Sequence, residues 1–268
     1  MKRIATLFLA MLMAGTLEAQ VIQQVGNGSV DWQVRKVTAV GIAMPSTVGG
    51  RAGQIRAARA DALRQILETV QGMALTSETT VKDLMLENDV IYTEVRGVCQ
   101  NFQPVGDPDY KDDGSIELTV EMFLSQEFSN VLVGDMAFAS GTPQVTPLSP
   151  GAVGGVFTGL IVDCTQISVR PALAPRVLSQ SGSEVYGSAL IDREWALKNG
   201  MVGYVRSVQE AVALQDRIGN NPLKVTAIES KGANGADVVI DDGSGQTLHA
   251  MAENLNFLRQ CRVVFVVK

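Results

Sequence analysis

The chain has 268 residues, 46% of them hydrophobic and 19% charged, with a formal net charge of −6 at pH 7. That length fits one large domain or two small ones, and the apolar content suffices for a sizeable core, which excludes a chain disordered throughout. The acidic balance excludes non-specific nucleic-acid binding, which rewards the opposite sign.

Residues 1–19 differ from the rest. Lys2 and Arg3 precede an apolar run at residues 4–13, and Leu17-Glu18-Ala19 offers a cleavage site before Gln20. The run is shorter than the roughly 20 residues of a membrane-spanning helix. A secretory signal peptide and an exported chain without a transmembrane span are therefore expected. Removal of Lys2, Arg3 and Glu18 would take the net charge to near −7. No cysteine stands at the cleavage point, so no acyl anchor is expected.

Residues 21–31 read as a polar, exposed lead-in. Residues 32–44 begin with period-two alternation and become almost continuously apolar, the pattern of a strand stopped by Pro45. Residues 49–72 read as one long amphipathic helix. Ile55, Ala58, Ala62, Ile66 and Val70 form a stripe widened by Leu63 and Leu67, while Arg56, Arg59, Asp61, Arg64 and Glu68 fall opposite. Alanines at 57, 58, 60 and 62 favour the helix and allow a sheet to approach it closely.

Residues 73–81 have the threonine-rich look of a second strand. Residues 82–98 read as a short helix followed by an extended piece. Residues 98–105 and 115–124 are strand-like, and the turn formers between them predict a hairpin. Glycine, proline, serine and threonine then dominate residues 134–156, which sets a flexible linker between a first domain at 20–133 and a second at 157–268.

In the second half, residues 157–164 predict a buried strand, and residues 169–177, with Pro171 and Pro175, an edge or irregular one. A turn at 179–183 precedes an extended piece at 184–190, and residues 202–205 read as a short strand. Residues 207–216 form a helix whose Ser207 and Glu210 have capping-box spacing. Strands at 223–229 and 236–241, a helix at 247–259 and a buried strand at 262–267 complete the chain. Both halves are expected to be α+β, the first with its long helix across a small sheet.

Four features of the first half, taken together, resemble a known family: Ala39-Val40-Gly41, the run from Arg56 to Leu63, Val95-Arg96-Gly97-Val98, and Asp113-Gly114 followed by alternating apolar residues. Over residues 32–125 the chain resembles the LPP-twenty outer-membrane lipoprotein family, with its FlgP-like flagellar proteins and the amino-terminal part of FlgT. The resemblance implies a strand-helix-strand-strand module that assembles into envelope or flagellar-basal structures without a catalytic site. Family members are commonly lipoproteins, whereas this chain has no lipobox cysteine.

Candidate chemistry is sparse. Cys99, Cys164 and Cys261 are the cysteines. In an oxidising compartment Cys164 and Cys261 are the first pair to consider for a disulfide; otherwise all three are small buried side chains. Asp107, Asp109, Asp112 and Asp113 suggest a calcium loop, but Lys111 and Leu118 occupy positions that need oxygen ligands, so a solvated turn is expected. Gly49, Gly50 and Gly53 lack the lysine of a phosphate loop and read as a sharp entry into the helix. His249 is the only histidine, which excludes most hydrolase and zinc schemes.

Arg56, Arg59 and Arg64 form a candidate interaction face, better suited to a protein partner than to lipid. No catalytic residue, cofactor or metal-ligand set is expected. The reading is an exported, non-enzymatic bacterial envelope protein that assembles with itself or with envelope or flagellar partners. The competing reading is a periplasmic small-ligand binder or thiol enzyme with its site around Asp163, Cys164 and His249.

Overall fold

The structure, a computed structural model, describes residues 20–46, 49–134, 136–139 and 155–268. The expected signal peptide, and residues 135 and 140–154 of the expected linker, lie outside the described residues.

The first half is built on an antiparallel sheet. Strands β1 (Ile22–Val25), β2 (Gly28–Asp31) and β3 (Lys36–Ala43) form a meander. The stretch expected as an exposed lead-in is thus a hairpin. Val21, Val25 and Val30 among its polar residues are buried, and Gly26 at φ 59° supplies the tight turn.

Helix α1 (Gly50–Gln71) follows, buried along Ala58, Ala62, Ile66 and Val70. It crosses β3 where that strand presents Val37, Ala39 and Ala43 inward. A Cβ placed on Gly41 would sit 2.2 Å from the Ala58 carbonyl oxygen and 2.4 Å from the Ala62 nitrogen. Small residues on both partners therefore bring helix and sheet into backbone contact. The Ile42 amide, on the other side of the strand, donates to Asp61 at 2.8 Å.

Residues 73–81 were expected to be a strand and are a loop. Their hydroxyls take up the local backbone groups instead of leaving them to a ladder. Thr76 and Thr79 bond each other at 2.8 Å, the Thr76 oxygen accepts from the Glu78 and Thr79 amides, and Thr80 forms a capping box with Asp83 at the start of α2 (Val81–Glu87). Asn88 then caps a second helix, α3 (Asp89–Cys99). The short helix expected here exists, but its extended continuation is helical through Cys99.

The sheet is completed by β4 (Gln103–Pro104), β5 (Asp109–Tyr110) and β6 (Ile116–Phe123), in the order β1-β2-β3-β6-β4 with β5 also on β6. β3 and β6 pair from Lys36↔Phe123 to Ala43↔Ile116. Helix α4 (Gln126–Val133), capped by Ser125, ends the first half.

The second half holds two further sheets. Strand β7 (Gly159–Asp163) lies in a parallel sheet; β8 (Val177–Ser179) and β9 (Glu184–Tyr186) lie in the other. Helix α5 (Arg193–Asn199) leads to β10 (Gly203–Val205). The helix expected at 207–216 is interrupted at Leu214, giving α6 (Val208–Ala213) and α7 (Gln215–Ile218).

β11 (Pro222–Thr226) joins the parallel sheet, while β12 (Glu229–Lys231) and β13 (Asp237–Ile240) join the mixed one. The helix expected at 247–259 begins earlier, as α8 (Asp242–His249), and resumes as α9 (Ala252–Arg259). β14 (Val263–Val266) is buried at every position and sits between β10 and β7 in the order β10-β14-β7-β11. The chain is α+β, and no described helix is long and apolar enough to cross a membrane.

The two halves share one hydrophobic cluster, which includes Val37 and Ile66 of the first and Leu160 and Phe265 of the second. The Trp32 and Tyr204 rings pack edge to face with centroids 5.6 Å apart, and the Tyr204 and Phe265 rings do so at 5.9 Å. The loop at 73–81 supplies the polar seam. The Leu75 carbonyl accepts from the Ala174 amide at 2.8 Å, and buried Ser77 donates to the Lys231 carbonyl at 2.6 Å while accepting from the Asp237 amide at 2.7 Å.

Candidate interaction face

The arginines of α1 do not act together. Arg64 lies between Asp61 at 2.8 Å and Glu68 at 2.6 Å. Arg59 stacks over Phe102 with its guanidinium 5.4 Å from the ring centroid, and Arg51 over Tyr110 at 4.4 Å. Arg56 is exposed. Burial raises the Asp61 carboxyl, but the Ile42 amide and Arg64 outweigh it and hold the group below its usual range. Arg64 is thus neutralised by its two carboxylates, whereas Arg51, Arg56 and Arg59 have no ion pair among the described residues.

The face also offers apolar side chains among polar ones. A groove of about 350 Å³ runs between α1 and α3, lined by Ala60, Leu63, Leu67 and Gln71 on one side and Tyr92 and Arg96 on the other, beside the Arg64–Glu68 pair. Leu63 and Leu67 are half-buried because they flank the stripe that faces the sheet, and the helix leaves their outer sides uncovered. Near the junction of α2 and α3, Leu86 is 75% exposed and Val90 64%. Leu63 and Leu67 are visible in the helical periodicity. Tyr92 is not, because it depends on residues 89–99 being helical.

The other expected site residues are apart. The Cys164 thiol donates to the Val162 carbonyl at 3.6 Å, whereas the His249 ring nitrogen Nε2 lies 2.8 Å from the Val185 carbonyl. His249 borders a cavity of about 250 Å³ with Ser179, Ser181, Ser183, Glu184 and Asp242, and neither Cys164 nor Cys261 lines it. Cys99, Cys164 and Cys261 are all buried and free, so the Cys164–Cys261 disulfide is not formed in this structure. Burial pushes the Cys99 and Cys164 thiols up to about 12 and the Cys261 thiol up to about 11, which disfavours the nucleophilic thiolate near neutral pH.

Two of the aspartates of the turn at 107–113 are engaged locally. Lys111 pairs with Asp109 at 2.6 Å and Glu117 at 2.9 Å, and Asp113 accepts from the Ser115 amide at 2.9 Å. Among the described residues no group of three or more His, Cys, Asp or Glu side chains could hold a metal ion.

Comparison with known families matches residues 159–268, from β7 onward, to a family described as Treponema pallidum Tp0624, second domain. No curated protein matches the chain. The second half is thus similar to that Tp0624 domain, and the match begins at the first strand of the parallel sheet.

Proposed function

We propose that this protein is an exported, non-enzymatic assembly protein of a bacterial envelope, which docks onto a copy of itself or onto an envelope partner through the α1–α3 groove. The observation that carries the reading is the uncovered apolar strip of Leu63, Leu67 and Tyr92 beside charges that neutralise each other. A surface of this kind gains from burial against another protein and has little net charge to attract an anionic membrane. The resemblance of residues 32–125 to the LPP-twenty family and the signal-like residues 1–19 support the envelope setting. The buried thiols, and a single histidine held against a backbone carbonyl, favour assembly over thiol catalysis.

Light scattering after size-exclusion chromatography, with cross-linking in intact envelopes, tests the proposal. Self-association or recovery of one envelope partner is expected, and it should be lost in the Leu67→Glu, Tyr92→Ala double variant while the far-ultraviolet spectrum stays unchanged. A strictly monomeric chain with no envelope partner would overturn it.

A further inference from the structure

A cavity of about 410 Å³ opens at the junction of the two halves, and its charge is unbalanced. Arg35, Lys198, Arg217 and Arg262 line it, against the single carboxylate of Asp216. The chain as a whole is acidic, at −6, so this concentration of cations runs against the average.

Two of the four cations have structural work. Arg217 donates to the Val263, Asn199 and Gly200 carbonyls, each at 2.9 Å, and Arg35 donates to the Lys198 carbonyl at 3.3 Å and to Ser129 at 2.8 Å. Both guanidinium groups therefore sit at the carboxyl end of α5, whose dipole supplies only about half a negative charge. Burial lowers the pKa of both, and their mutual repulsion lowers that of Arg35 further. Lys198 and Arg262 add two more charges and have no hydrogen bond or ion pair to their side chains among the described residues.

The backbone around the cavity is also unusual. Arg35 at φ 55° and Cys261 at φ 56° are the non-glycine residues with left-handed backbone among those described, and Cys261 lies between Gln260 and Arg262, which both line the cavity. Such residues cost on the order of 1–3 kcal/mol and concentrate at functional sites. Gln33 lines the same space, and its Oε1 is buried without a hydrogen-bond partner. Turning that carboxamide over would place an N–H donor there. The half-buried indole of Trp195 adds an apolar surface.

We propose that this cavity binds an oxyanion, a carboxylate or phosphate carried on a small polar molecule, with Lys198 and Arg262 as its direct charge partners and Arg35 and Arg217 setting the local field. The site is separate from the α1–α3 groove and does not depend on docking there.

The test is isothermal titration of the full chain at constant ionic strength with inorganic phosphate, with galacturonate and with chloride. Saturable one-to-one binding of phosphate or galacturonate is expected, and whichever binds identifies the source of the oxyanion. Lys198→Glu should weaken that binding at least about tenfold, the cost of one charge-assisted hydrogen bond, and Lys198→Arg should restore it. Arg262→Gln should act in the same direction. Lys198 is exposed, so its variants leave folding intact even where a change at Arg262 does not. No saturable heat from either anion, or binding that Lys198→Glu leaves unchanged, would overturn the proposal.

Discussion

Cys99, Cys164 and Cys261 illustrate how much one side chain's surroundings decide. Their composition invites a disulfide or a nucleophile, but each is buried with its thiol pushed up to between about 11 and 12. For an acid raised in the folded state, the neutral form is the stabilised one. Its contribution is complete below the unfolded thiol pKa, near 8.5, and is lost as pH rises toward the folded value. Stability in urea should therefore decline from about pH 8.5 upward, and the triple Cys→Ala variant should decline less steeply over that window. Native thiols should react slowly with iodoacetamide at pH 8 and rapidly once the chain is unfolded.

The apolar runs around Cys164 and Cys261 make their burial legible, whereas His249, expected at the start of a helix, is the last residue of α8 and is held against the Val185 carbonyl. The cationic cavity is not legible in the sequence. Arg35, Lys198, Arg217 and Arg262 are scattered along the chain, and only the packing of β3's entry turn against α5 brings them together.

Among the elements, α1 was readable because its period is long and unbroken, and β3, β7 and β14 because buried strands collect β-branched residues. The failures share one cause. In residues 73–81 the threonine-rich composition suggests a ladder, whereas the hydroxyls satisfy backbone groups locally and cap α2. Asn88 and Leu214 interrupt helices that hydrophobic periodicity alone would merge or extend.

The contact between β3 and α1 was expected in outline from the alanines, and Gly41 makes it specific. Neither Ala58 nor Ala62 can retreat at the backbone atoms that a Cβ on Gly41 would meet. Gly41→Ala should cost roughly 3 kcal/mol, the upper part of the usual overpacking range, and Gly41→Val more. Urea denaturation measures this directly. A loss below about 1 kcal/mol would mean that the helix shifts away without penalty.

At the scale of the whole molecule, the sequence suggests two modules on a tether, and the described residues of the two halves share their largest hydrophobic cluster. Composition marks where a chain changes character but carries no record of long-range contacts such as Trp32 with Tyr204 or Ser77 with Asp237. The shared core has a measurable consequence. Trp32 stands in the first half, against Tyr204 of the second, and Trp195 stands in the second half; they are the chain's two tryptophans. In Trp195→Phe and Trp32→Phe variants the remaining indole should follow a single unfolding transition at the same urea midpoint, after correction for each variant's own stability. Two separated midpoints would show that the halves unfold independently.

The place of β14 in its sheet bears on how the polypeptide matures. Residues 263–266 bridge β10 and β7, yet they follow every other strand of that layer in the chain. A polypeptide emerging amino end first, from a ribosome or through an export channel, cannot close this layer until those four residues have cleared the exit. Until then β10 has no neighbour and β7 has only β11 beside it. The parallel sheet is therefore the last of the three described sheets whose strands are all available.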